Sequence, residues 1–369
     1  MLKNISIAKK LPALFAAMTT ISVVSVGVMS YVQMSNTIES DAIAKVVAVE
    51  KSMCEALDKQ FELIDADLRV LGNYNLTRDD LVRLNAGFEI LGKEGENPSR
   101  YLQNAYLTNS QYPVGQRYLA DKADDDSYYT KFHSKYHDMF RRFMVEYKYY
   151  DVFLLNMQGD VIYSVYKETD FAMNVSGPAL NGSGLQLAFD SALANGLSFT
   201  DFSPYAPSAG DLAAFGAISV KDKYGDNIGV LAVQLKPETF EKILSDDAGF
   251  AYDTKTFILG PDYRIRFSQG VKPDEADANA DYFIGTELTS QLAFKDSGFA
   301  IVPKPGTGER MMMVFNKHTN HETEFTLVWE ISYDDAMNAL KILRNNLIIV
   351  ALLTMIVVTG VGLLIARSI

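Results

Sequence analysis

YYDVFLLNMQGDVIYSVYKETDF, residues 149–171, is the stretch that decides the fold. Two runs of β-branched and aromatic residues, 149–156 and 160–166, flank the turn pair Gln158-Gly159, so the segment reads as a β-hairpin. In the second run, alternation puts Val161, Tyr163 and Val165 on one face and Ile162, Ser164 and Tyr166 on the other. It then breaks into Lys167, Glu168, Thr169 and Asp170, with no glycine or proline to make a tight turn. Such a cluster is either a solvated strand end or the rim of a site.

Further strands follow at LSFTDF (197–202), LAAFGAISV (212–220) and NIGVLAVQL (227–235), with helices at about 183–194 and 237–246. Five antiparallel strands with one crossing helix make a PAS-like module. A second, smaller set repeats this order without repeating the sequence. It comprises a hairpin, TKTFILGPD (254–262) with YRIRFSQ (263–269), an Asp- and Ala-rich loop at 273–282, and strands at Phe299–Val302, Arg310–Asn316 and Phe325–Ile331. Upstream the period is helical: Val46, Val49, Met53, Leu57, Phe61, Ile64, Leu68 and Leu71 recur every three or four residues. Such a stripe needs a partner, either a second helix of the same domain or the same helix of another subunit. Shorter helices are predicted at 78–92, 100–109 and 126–147.

Both ends of the chain are apolar. Residues 11–38 and 345–366 carry no charge, and roughly 20 apolar residues cross a bilayer core of about 30 Å. The first block is longer than a signal-peptide core and no A-x-A site follows it, so it reads as an uncleaved anchor. Lys3, Lys9 and Lys10 place the N-terminus in the cytoplasm, which puts the acidic middle outside. The first span is expected to run on into a helix projecting about 50 Å from the membrane. The net charge of −12 argues against nucleic acid as a partner. The single cysteine, Cys54, precludes an internal disulfide and reads as a small buried hydrophobe.

The hairpin, FTDFSPYAPS, NIGVLAVQL, KTFILGPDYRIRFS and FTLVWEIS, in that order between two spans, resemble the outer sensor region of bacterial chemoreceptors, more specifically a double-Cache domain. The resemblance covers about residues 10–369. It implies an α+β fold: a long N-terminal helix, then two PAS-like antiparallel sheet modules, flanked by two transmembrane helices. The divisions are a cytoplasmic N-terminus (1–10), a first span (11–34), the helical part of the sensor (35–148), a membrane-distal module (149–247), a membrane-proximal module (248–333), an exit helix (334–344), a second span (345–366) and the start of a cytoplasmic part (367–369). It further implies a homodimer in the bacterial inner membrane with its sensor periplasmic or extracellular. The function implied is small-molecule sensing for chemotaxis, with a cytoplasmic chemotaxis kinase and adaptor as partners. A histidine kinase or a nucleotide or diguanylate cyclase can carry the same outer region, and an anchored outer-surface enzyme or assembly protein is the alternative from another class.

The candidate ligand residues are Arg141, Tyr150, Asp151, Tyr163, Tyr166, Lys167, Asp170, Asp201 and Tyr205. Lys167 can hold a carboxylate or phosphate, and Asp170 and Asp201 can hold an amine. The tyrosines offer flat faces with a hydroxyl at the tip. Asp151 opens the first strand and can equally cap the preceding helical region. The arginine–tryptophan pair of the amino-acid-binding subfamily is absent, since the only tryptophan is Trp329 and Arg141 has none after it. Lys167, Arg141 and the tyrosines lean toward a small organic acid as ligand, bound without a cofactor. His133 and His137 stand at i and i+4, a metal spacing with no third ligand, and are read as helix-surface residues. His318 and His321 fall in an expected hairpin loop. No G-x-S-x-G elbow or glycine-rich phosphate loop occurs, so no enzymatic activity is assigned.

Overall fold

The computed structural model describes residues 7–244, 254–269, 287–304, 308–320 and 323–368. The loop at 273–282 and His321 lie outside the described residues. The chain is α+β. Helix α1 (Ile7–Gly72) runs unbroken for 66 residues, about 100 Å at 1.5 Å per residue. Its stripe of Met53, Leu57, Phe61, Ile64, Leu68 and Leu71 is buried. The stripe finds its partner within the chain. That partner is the two β-sheets, with a short helix between them, because an apolar sheet face is broad enough to cover a helix stripe by itself.

Helices α2 (Asn75–Lys93), α3 (Pro98–Gln103) and α4 (Tyr128–Tyr147) follow. A π-helical turn over Asn104–Thr108 extends α3. The Ser127 hydroxyl accepts the Thr130 N–H at 3.1 Å to start α4, and Lys148 ends it in the left-handed region (φ 62°). The first sheet holds β1 (Asp151–Asn156), β2 (Val161–Ser164), β3 (Leu197–Phe199), β4 (Ser203–Pro204), β5 (Leu212–Lys221) and β6 (Asn227–Leu235) in the order β2-β1-β6-β5-β3, with β4 on β5. Helix α5 (Gly184–Asn195) crosses one face, and α6 (Glu238–Leu244) leads out. The second sheet holds β7 (Thr254–Leu259), β8 (Ile265–Gln269), β9 (Ser297–Pro303), β10 (Arg310–Asn320) and β11 (Thr323–Ser332), in the order β8-β7-β11-β10-β9, with α7 (Glu287–Leu292) beside β9. Counting strands within each module and leaving β4 aside, both orders are 2-1-5-4-3. Leu68 lies over Gly216 of the first sheet, while Asp58, further back along α1, meets His318 of the second at 2.7 Å. The first sheet is therefore the one further from the span in α1.

Two corrections concern local pattern. Strict alternation fails in β2. Leu154 pairs with Tyr163 and Leu155 with Val161, so Ile162 is an extra residue in a bulge. Val161 joins the core under α5, while Ile162 and Tyr163 both join the core under the helices α1, α2 and α4. His318 is part of strand β10 rather than of a loop, since β10 pairs with β11 out to Asn320.

After β11, the short helix α8 (Tyr333–Ala336) leads into α9 (Asn338–Ser368). Among the described residues two segments are long and apolar enough to cross a membrane, Ala13–Ile38 in α1 and Leu340–Gly362 in α9. The two helices lie side by side, and Val23, Gly27 and Tyr31 share a groove with Arg344, Ile348 and Ala351.

Candidate functional site

The charged end of the opening stretch is not solvated: Lys167 is 1% exposed and Asp170 is fully buried. Lys167 turns the chain out of β2 with a left-handed backbone (φ 60°), a conformation that costs a non-glycine residue about 1–2 kcal/mol. Its N–H donates to the Ser164 hydroxyl at 2.8 Å, and its carbonyl accepts from Arg117 Nη1 at 3.3 Å. The turn sends Lys167 and Glu168 to different partners, dividing the polar residues into two groups.

The first group lies on the side of the sheet that α5 covers, at the start of β1. Asp151 Oδ2 accepts the Ser164 hydroxyl at 2.6 Å, and its Oδ1 accepts the N–H groups of Val152, Val165 and Tyr166. The Tyr205 hydroxyl donates to Asp170 Oδ2 at 2.8 Å. Glu168 takes the Tyr150 hydroxyl on one oxygen and the Ser208 hydroxyl on the other, both at 2.6 Å, and Gln234 Nε2 donates to Ser208 Oγ at 3.0 Å. Burial pushes Asp151 up to about 7, against the pull of its hydrogen bonds. Burial also pushes Asp170 up to about 8, helped by the nearby charges of Asp151 and Glu168. Two buried acceptors of this group have no hydrogen-bond partner among the described residues: Asp170 Oδ1 and Gln234 Oε1. Beside this group, Tyr118, Tyr166 and Tyr150 form a row of rings at 5.9 and 4.5 Å, and the Lys236 ammonium sits 4.0 Å over the Tyr150 ring.

The second group lies on the helix side. Tyr163 donates its hydroxyl to His137 Nδ1 at 2.7 Å, and His137 Nε2 donates to the Tyr118 carbonyl at 2.8 Å. His133 donates from Nδ1 to the Asp121 carbonyl at 2.8 Å, which leaves its buried Nε2 lone pair unpartnered among the described residues. The two imidazoles stack at 4.7 Å, and burial, then the Lys167 charge, holds both neutral, His137 down to about 2. The Lys167 ammonium is 3.4 Å from His137 Nε2 and donates to the Val165 carbonyl at 3.1 Å. Burial lowers its pKa to about 7. Arg141 is spent on Asp121 and Asp138, at 2.8 and 2.7 Å.

Of the nine residues singled out in the sequence, Tyr150, Asp151, Tyr166, Asp170 and Tyr205 thus gather at one end of the distal sheet. Tyr163, Lys167 and Arg141 face the helices. Asp201 stands apart, clamped to Arg266 of the second sheet. The histidine pair is buried rather than on the helix surface, because α4 turns that face onto Tyr163. Among the described residues no group of three metal-ligating side chains occurs. Glu168, Ser208 and Gln234 were missed. Gln234 carried a signal, a lone amide in the otherwise apolar run NIGVLAVQL.

No protein-family model matches the sequence, and no curated protein matches it. Similar solved structures include extracellular ligand-binding and sensor domains. An extracellular ligand-binding receptor from Desulfohalobium retbaense shares 11% identity over 76% of this chain and 39% of its own, with a TM-score of 0.41. The ligand-binding domain of the Pseudomonas aeruginosa amino-acid chemoreceptor PctC, in complex with GABA, shares 13% over 79% of this chain and 98% of its own, with a TM-score of 0.42. The sensor domain of the Vibrio cholerae histidine kinase DctB shares 12% over 69% and 95%, with a TM-score of 0.38.

Proposed function

We propose that this chain is the outer sensor region of a bacterial transmembrane receptor. It takes a small molecule carrying a protonated amine at the α5 side of the distal sheet. One observation carries the choice of amine: Asp170 Oδ1 and Gln234 Oε1 are buried acceptors without donors, and a buried unpaired acceptor costs about 1–3 kcal/mol until a donor arrives. An ammonium supplies up to three donors and takes the place of the proton that burial keeps on Asp170, whose pKa is pushed up to about 8. The lean toward an organic acid loses its basis, because Arg141 is paired with two carboxylates and Lys167 faces the helix side.

The rest of the reading follows from topology. The spans in α1 and α9 anchor the sensor in the inner membrane, with the two sheets outside. Exposed Ala56, Leu63, Ala66 and Val70, spaced 7, 3 and 4 along the outer side of α1, suit the same helix of a second copy. A chemotaxis kinase and its adaptor would read the motion of α9 in the cytoplasm. The ligand shifts that motion only by its differential affinity for two states.

The test is calorimetric titration of the whole chain in lipid nanodiscs with L-alanine, 4-aminobutyrate, putrescine and succinate. At least one amine binds, and Asp170→Asn weakens it about a hundredfold. Binding of succinate alone, or amine binding untouched by Asp170→Asn, overturns the assignment.

A further inference from the structure

The segment 200–211 touches both modules, and each contact is specific. At one end Tyr205 donates its hydroxyl to Asp170 and packs its ring on Phe215 at 4.9 Å. The turn after it is closed by its own hydrogen bonds, Tyr205 N–H to the Asp211 carbonyl, and the Ser208 and Gly210 N–H groups to the Tyr205 carbonyl. Four residues before Tyr205, Asp201 takes Arg266 in a fork: Nε at 3.1 and 3.0 Å, Nη2 at 2.7 Å. Arg266 belongs to β8, its side chain is only 11% exposed, and Asp262 holds the same guanidinium at 2.8 Å. Between the two anchors, Phe202 packs on Phe240 and Phe267, both at 5.6 Å, over an apolar cavity of about 20 Å³.

We infer that residues 200–211 form a coupling strap: a change at Asp170 alters the Tyr205 hydrogen bond, and the Asp201–Arg266 fork passes the shift to β8 and the proximal sheet. The fork is the directional part. A bidentate guanidinium–carboxylate pair fixes both distance and plane, whereas the Phe202 contact is non-directional and tolerates sliding. The neighbouring backbone is shaped for it. A Cβ on Gly260 would overlap the Arg266 guanidinium, and no positive φ is imposed on that glycine. Gly260→Ala therefore displaces the fork without removing either partner. The inference rests on reading Asp170 as the ligand contact, but coupling is reciprocal and can be probed with no ligand at all.

The experiment is amide hydrogen exchange on the whole chain in nanodiscs, read at 265–269, for wild type, Tyr205→Phe, Arg266→Gln, Gly260→Ala and the double variants of Tyr205→Phe with each of the other two. Unchanged exchange in β5 and β6 identifies folded protein. Tyr205→Phe keeps the ring and removes the hydroxyl, and it is expected to raise exchange at 265–269 about threefold. In either the Arg266→Gln or the Gly260→Ala background that increment disappears. An increment of equal size in those backgrounds, or none in wild type, overturns the strap. No arm uses an amine, so a failure of amine binding and a failure of the strap are separate results.

Discussion

The two sheets share one strand order and differ in what they bury. Among the described residues the proximal sheet encloses Thr256, Thr323, Thr326 and Glu330. The distal module encloses Asp80, His133, His137, Asp151, Asn156, Ser164, Lys167, Asp170 and Gln234. Buried ionisable groups oppose folding unless each is paired; among the described residues the distal module holds six (Asp80, His133, His137, Asp151, Lys167 and Asp170), while the proximal sheet, with the same strand order, holds Glu330. Under the proposed function, recognition falls to the distal sheet and transmission to the proximal one, whose last strand leads through α8 into α9.

The largest expected effect tests whether the two are separable. Trp329 is buried in β11, and truncating a buried tryptophan costs about 3–5 kcal/mol. Trp329→Ala is expected to strip exchange protection from β7, β10 and β11 while β1, β5 and β6 keep theirs. Loss of protection in both sheets together would make them one cooperative unit and undo the division of labour.

Asp151→Ala is expected to cost about 2 kcal/mol, because the Tyr166 N–H and the Ser164 hydroxyl lose their acceptor inside the fold. The matching change in the first strand of the proximal module, Thr256→Ala, is expected to stay within about 1 kcal/mol. Urea midpoints compare them. Equal losses would say that the buried carboxylate is only another buried polar group.

Much of this contrast was written in local pattern. Period 2 gave ten strands their positions, and period 3.6 gave α1 its stripe, because both signals need only neighbours in sequence. What escaped depends on pairing across distance. The bulge at Ile162 exists only in register with Leu154 and Leu155, so alternation within β2 put Val161 and Tyr163 on one face when they lie on two. Asp201 looked like a ligand contact because its partner, Arg266, is 65 residues away. Glu168 follows Lys167 in the charged cluster, and neighbours along a strand point to opposite faces. It does face away, and that is why it meets Ser208 and Tyr150. His133 and His137 were visible as a pair, but nothing in α4 alone says that their face is covered.

The histidines give a third comparison. An unfolded histidine takes up a proton near pH 6.5, while His137 in the fold stays neutral down to about 2. The unfolded state thus binds more protons below pH 6.5, and this term weakens the fold as pH falls. Asp151 and Asp170 act with the opposite sign. Raised to about 7 and 8, they keep a proton that unfolded carboxylates have lost above about pH 4, so their term strengthens as pH falls. The wild-type profile mixes both. His137→Asn removes one, and relative to wild type its stability should improve by about 1.4 kcal/mol for each pH unit below 6.5. Parallel profiles would mean that His137 is already charged or solvated in the fold.

The smallest effect discriminates most finely. Each module has a cation over a tyrosine: Lys236 at 4.0 Å from Tyr150, Arg310 at 4.3 Å from Tyr333. Both Lys236→Gln and Arg310→Gln should change stability by less than about 1 kcal/mol. Their effects on ligand should differ. Burial raises the Glu168 pKa and the Lys236 charge works against that rise, so Lys236 already supplies part of the positive potential that an ammonium would bring. Removing it should tighten amine binding by about two- to fivefold, whereas an acidic ligand would bind more weakly. Arg310→Gln, in the module assigned to transmission, should leave the affinity where it was. Weaker amine binding in Lys236→Gln would show that the Lys236 side chain assists the ligand rather than competing with it, and the charge argument for an amine would fail even with the fold intact.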